Sequence, residues 1–94
     1  MTTDQICDQI KTILREKNAA YGQAALRSPV LCPSLRPTTA ILVRMSDKIE
    51  RLKTLLTTNV DAHGESLNDT VTDLAGYCVL YLATKGDTNN DSVD

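Results

Sequence analysis

The chain has 94 residues, 23% of them charged, a net charge of −2, and no Trp, no Phe and only three Tyr. One domain of this length buries a modest share of its surface, so an aliphatic core is expected, with assembly into a dimer or higher homo-oligomer as the remedy for marginal stability. Acids and bases are interspersed with no basic block, which argues against a binder of duplex nucleic acid, and no stretch approaches membrane-spanning length without charges.

The first predicted helix opens at a capping box, Thr2-Thr3-Asp4-Gln5, with Thr2 as cap and Gln5 three residues on. Ile6, Ile10, Ile13 and Leu14 recur at helical spacing and carry it from about Thr3 to Lys17, with Asn18 as the exit. Residues 18–36 read as a long connection. Asn18-Ala19-Ala20-Tyr21-Gly22 is a turn, Ala24-Ala25-Leu26 forms at most one helical turn, and Pro29, Pro33 and Pro37 forbid a regular helix across them. Connections this long in a small domain are more often functional than filler.

The second helix starts at Pro37, a residue suited to the first helical position, and ends near Thr57 or Thr58. Its apolar stripe is Ile41, Met45, Ile49, Leu52 and Leu56; Arg44, Asp47, Lys48 and Arg51 occupy another face, with Glu50 on its flank. Residues 59–64 form a polar link containing the one histidine, His63, which has no second His or Cys near it and no prospect of a zinc site. The third helix begins near Ser66, where Ser66-x-x-Asp69 is itself capping-box-like, and stops at Lys85-Gly86. Leu67, Val71, Leu74, Cys78 and Leu82 form its apolar stripe, and Asp69, Asp73 and Tyr77 lie four apart on an adjacent face. The tail 87–94 is polar and expected to be disordered. No strand alternation is present, so the expected class is all-α: three principal helices, the last two antiparallel, in one domain over residues 1–86. Cys7, Cys32 and Cys78 make no CxxC motif; Cys7 and Cys78 fall on apolar helical faces and read as buried thiols of a protein in a reducing cytoplasm. No signal peptide is visible.

Two constellations carry candidate chemistry. Asp47 with Glu50 and Asp69 with Asp73, brought together across two antiparallel helices, would supply oxygen ligands to Mg²⁺, which can polarise a phosphate and position an attacking water. The competing explanation is ordinary ion pairing and capping: Asp47 with Arg44 or Arg51, Glu50 with Lys53, Asp69 with Ser66. Asp73 resists that explanation, because it is a poor helix former with no evident cationic neighbour along the sequence. Arg44, Lys48 and Arg51 form a basic stripe able to hold phosphate oxygens or, equally, a solvated face with intrahelical pairs. Tyr21, beside Gly22 and near Arg27 and Ser28, offers a ring to stack on a base or a loop anchor to the core.

Three blocks, Lys17–Gly22, Ile41–Leu52 and Glu65–Tyr77, stand in the order found in a small phage and bacterial family, the nucleotide modification associated domain of the first type, which they resemble over most of residues 15–82. That family is similar to the MazG-like all-α nucleoside triphosphate pyrophosphohydrolases. The resemblance implies a helical oligomer, Mg²⁺ dependence and cleavage between the α- and β-phosphates, with Asp47, Glu50 and Asp73 as catalytic residues. Asp47, Glu50, Asp69 and Asp73 would be metal ligands, and Tyr21, Arg44, Lys48 and Arg51 nucleotide contacts. Asp47-x-x-Glu50 matches the family's first acidic motif with Asp for Glu. The second motif departs, since Thr70 stands three residues before Asp73 where an acid is expected. The expected function is nucleotide handling in a phage-type setting, in the host cytoplasm. Its alternatives are sequestration of a nucleotide signal of host defence, such as a cyclic oligonucleotide, without catalysis, and an oligomeric interaction protein without ligand.

Overall fold

A computed structural model describes residues 1–21, 27–58 and 66–87. Three helices follow in order, α1 (Thr3–Tyr21), α2 (Pro37–Thr58) and α3 (Leu67–Asp87), and no strand occurs among the described residues. The class is all-α. No described helix is long and apolar enough to cross a membrane. His63 and its loop, Gly22, Ala24-Ala25-Leu26 and the tail from residue 88 lie outside the described residues.

Each helix starts where local chemistry sets it. The Thr2 N–H donates to Gln5 Oε1 at 2.8 Å and the Gln5 N–H to Thr2 Oγ1 at 3.2 Å, a reciprocal box that satisfies two otherwise orphan donors. Ser66 and Asp69 repeat the device: the Ser66 N–H donates to Asp69 Oδ2 at 3.3 Å and the Asp69 N–H to Ser66 Oγ at 3.1 Å. Pro37 opens α2, and the Ala40 N–H bonds the Arg36 carbonyl at 2.9 Å. Before it, tight turns replace helix: the Cys32 N–H reaches the Pro29 carbonyl and the Leu35 N–H the Cys32 carbonyl. The tip of these turns leaves Val30 and Leu31 exposed. The exit expected at Asn18 is corrected. α1 continues through Asn18, Ala19 and Ala20 to Tyr21, because two alanines favour helix more strongly than one Asn opposes it. α3 likewise runs on to Asp87, past Lys85-Gly86.

The packing has one dominant contact, α2 against α3, while α1 lies on α3 alone. The link between α2 and α3, residues 59–66, is about 30 Å at full stretch, slightly less than the roughly 33 Å length of α2. It is too short to return the chain along the helix, so α2 and α3 run antiparallel. The seam between them is narrow: Thr38, Ile41, Thr70 and Thr84 are buried, and Met45, Lys48, Leu52 and Leu55 are half-buried along α2. The Thr70 hydroxyl returns to the Ser66 carbonyl at 3.0 Å, so a polar group is satisfied within its own helix. Small residues at these positions let two helix axes come close.

The expected apolar stripes need correcting. On α2 the inward positions are Lys48 and Leu55; Ile49 and Leu56, one residue on, are 54% and 70% exposed. On α3 the error is larger: Leu67, Val71, Cys78 and Leu82 all lie outward, and only Leu74 is half-buried. Ile41 is the one large apolar side chain fully buried among the described residues. The cysteine expectation fails for the same reason, since Cys7, Cys32 and Cys78 are all free and exposed.

Candidate functional site

Asp73 sits where the three helices meet. It comes from α3, about one turn after Asp69, the last residue of the capping box that starts that helix. Lys48 of α2 approaches Asp73 Oδ2 at 3.1 Å, and Lys17 of α1 approaches Oδ1 at 3.8 Å. Asp73 therefore does not escape the ion-pairing explanation: both cations come from other helices, so spacing along α3 carries no trace of them. The Lys48 side chain is 21% exposed and Asp73 33%, which shields their pair from water more than a surface ion pair. Lys17 is 55% exposed, and its longer contact contributes little.

Beside this junction lies a groove of about 400 Å³ between α1 and α3, within the usual size range of small-ligand sites. Its apolar wall is Ile10, Ile13 and Leu14 from α1 with Leu80 from α3. Gly76 opens the space at the closest approach: a Cβ there would lie 3.4 Å from Leu14 Cδ2. Lys17, Asn18, Arg44, Asp73 and Tyr77 give the groove its polar side, and Thr72 adds to it. Lys17, Arg44 and Lys48 set three cations against the single carboxylate of Asp73, a local excess of two positive charges in a chain of net −2. An ammonium or guanidinium so placed, next to hydroxyl and amide groups and an apolar wall, suits a ligand with an anionic end and a flat or apolar end.

The structure gathers some of the residues named from sequence and separates others. Arg44 and Asp73 line the groove, and Lys48 stands behind it, paired with Asp73. Asp47 and Glu50 are exposed on α2 and do not line it. Asp69 spends its carboxylate on the Ser66 N–H. Arg51 is half-buried on α2 away from the groove lining, and the Tyr21 side chain lies outside the described set. Among the described residues no three His, Cys, Asp or Glu side chains form a group that could hold a metal ion. The four carboxylates therefore do not make one ligand set for Mg²⁺ in this conformation. Sequence reasoning missed Lys17 and Asn18 as groove residues, and read Tyr77 beside Gly76 as either a recognition ring or close helix packing. The block Lys17–Gly22 contained the signal, but the expected helix exit at Asn18 turned attention away from Lys17 and toward Tyr21.

Compared with known proteins, the chain matches no family model, no curated protein and no solved structure.

Proposed function

We propose that this protein binds a nucleotide in the groove between α1 and α3. The phosphates would meet Lys17, Arg44 and Lys48, and the base would lie along the wall of Leu14, Tyr77 and Leu80. The observation that carries this reading is the convergence of cations from α1 and α2 on Asp73 of α3, at one end of a groove with an apolar wall. The resemblance of the three sequence blocks to the nucleotide modification associated domain supports a nucleotide over other anions.

The reading has two forms. In the first the protein holds a nucleotide signal, such as a cyclic oligonucleotide, without chemistry. In the second it hydrolyses a nucleoside triphosphate to the monophosphate and pyrophosphate. In that form Mg²⁺ would arrive with the phosphates, which it polarises, and Asp73 is the carboxylate nearest them. Asp47 and Glu50 would join it only after rearrangement. The engagement of Asp73 by two ammonium groups favours the first form. A ligand phosphate would compete with Asp73 for Lys48, so a polyanion is held best if it repays that exchange with contacts to Arg44 and Lys17.

Calorimetry against nucleoside triphosphates and cyclic oligonucleotides, in EDTA and then in Mg²⁺, tests this. The double substitution Arg44→Ala, Lys48→Ala is expected to weaken binding at least about tenfold, or about 1.4 kcal/mol. Silence across the panel in both buffers removes the nucleotide reading. Pyrophosphate release that needs Mg²⁺ and disappears in Asp73→Asn selects the hydrolytic form; metal-free binding without release selects sequestration.

A further inference from the structure

The segment that leads into α2 ends in a point. Pro29, Val30, Leu31 and Cys32 form one tight turn, closed by the Cys32 N–H on the Pro29 carbonyl at 3.1 Å. A second turn follows at once, closed by the Leu35 N–H on the Cys32 carbonyl at 3.0 Å. Pro29 and Pro33 fix their own φ angles within these turns, and Pro37 then starts α2, so the point is stiff and tied to the end of a helix. At its tip Val30 and Leu31 are each 93% exposed, the highest values of any large apolar side chain among the described residues. Side chains so open lean neither on the body of the protein nor on one another. Cys32, beside them, is a free and exposed thiol. An exposed leucine on a helix is partly covered by its neighbours and needs no explanation; two adjacent aliphatic side chains at the summit of a turn have no such cover.

The charge around the tip is one-sided. Between Glu16 and Asp47 the chain carries Lys17, Arg27, Arg36 and Arg44 and no Asp or Glu, whereas the remainder is acidic enough to bring the whole to −2. Arg27 and Arg36 bracket the tip in sequence. α2 has no acid in its first turn, so the positive end of its dipole adds to the same local charge.

We propose that this tip docks on the surface of an anionic bilayer. Val30 and Leu31 enter the boundary between headgroups and acyl chains, and the cations of the acid-free segment meet the negative surface. Three observations choose a bilayer over a pocket on another protein. The tip is convex, and two side chains that point apart would need two separate pockets at a fixed spacing, whereas a fluid interface takes both. The charge complements an anionic leaflet, which attracts cations held near its surface. No described helix is able to cross a membrane, so the contact is with the surface alone. Two short side chains and a few cations make an attachment that is weak and reversible.

Co-sedimentation of the full chain with vesicles of phosphatidylcholine containing about 30% phosphatidylserine, against vesicles of phosphatidylcholine alone, tests the proposal. Binding is expected to the first and not the second, and it should fall as added salt screens the surface. Val30→Ser with Leu31→Ser should lower the partition coefficient at least about tenfold. Both side chains are almost fully exposed, so helicity and melting temperature should not change in that variant. Cys32 gives an independent reading of the tip itself. In a Cys7→Ser, Cys78→Ser background its alkylation by a charged reagent should slow when the anionic vesicles are added. No binding to either vesicle at lipid concentrations up to several millimolar overturns the proposal, as does equal binding to both. Binding that the double serine variant retains assigns the contact to another face and also overturns it. So does a Cys32 that is protected before any lipid is added, because the tip then belongs to a protein contact. None of these outcomes depends on whether the groove binds a nucleotide.

Discussion

Single residues in this chain are committed to jobs that compete with one another. Asp69 belongs by sequence pattern to an acidic pair with Asp73, yet its carboxylate accepts from the Ser66 N–H and its own N–H is capped by Ser66 Oγ. Removing a cap hydroxyl typically costs about 1 kcal/mol. Ser66→Ala is therefore expected to lower global stability by about 1 kcal/mol in urea denaturation while leaving ligand affinity unchanged. A loss of affinity without a loss of stability would return Asp69 to the site. Asp73 shows why part of the site was hidden in the sequence. Its partners stand 56 and 25 positions earlier in the chain, at Lys17 and Lys48, and no periodicity along α3 reports them. The capping boxes, in contrast, were legible because they are complete within four residues.

The three helices do not share stability equally. α2 and α3 hold each other along a long seam, whereas α1 rests on α3 by Ile10, Ile13 and Leu14, each half-buried, with Ile6 exposed. An element with few buried apolar contacts opens at lower free energy than the rest. Amide exchange in α1 is expected to be faster than in α2 or α3. Leu14→Ala, which removes the side chain facing Gly76, should cost about 1–2 kcal/mol, below the range for a fully buried leucine. Its signature is lost protection confined to α1, together with weaker binding in a groove that has lost a wall. Equal loss of protection in all three helices would mean that α1 is integral to the cooperative unit. Element identity and order were readable from periodicity and caps. Facing was not: the strongest apolar stripe of α3, Leu67-Val71-Cys78-Leu82, points outward, and the inward positions are Thr70, Gly76 and Thr84. A stripe records where a helix is greasy, and nothing in it names the neighbour that covers it.

For the whole molecule, the division of faces is the organising fact. One side of the α2–α3 pair, with α1, makes a groove with a local cationic excess; the other side is an uncovered aliphatic sheet of side chains. If the second side is closed by another copy, folding and association are one equilibrium. The melting temperature should then rise with protein concentration, as mass action requires. A melting temperature that stays flat over a hundredfold range would mean that each copy folds alone. A ligand in the groove would add its own stabilisation on top, saturable and independent of the first.

The threonines along the α2–α3 seam have a mechanical consequence. Thr38, Thr70 and Thr84 are short, so the knobs they present are shallow, and of the long branched side chains in the seam only Ile41 is fully buried. The attraction between Lys48 and Asp73 is then what selects one register among neighbouring ones. Swapping both for uncharged residues of similar bulk, Lys48→Met with Asp73→Leu, should leave helicity intact but let α3 slip by a turn against α2. That would appear as doubled amide resonances along both helices, whereas a single sharp set would assign the alignment to the methyl groups.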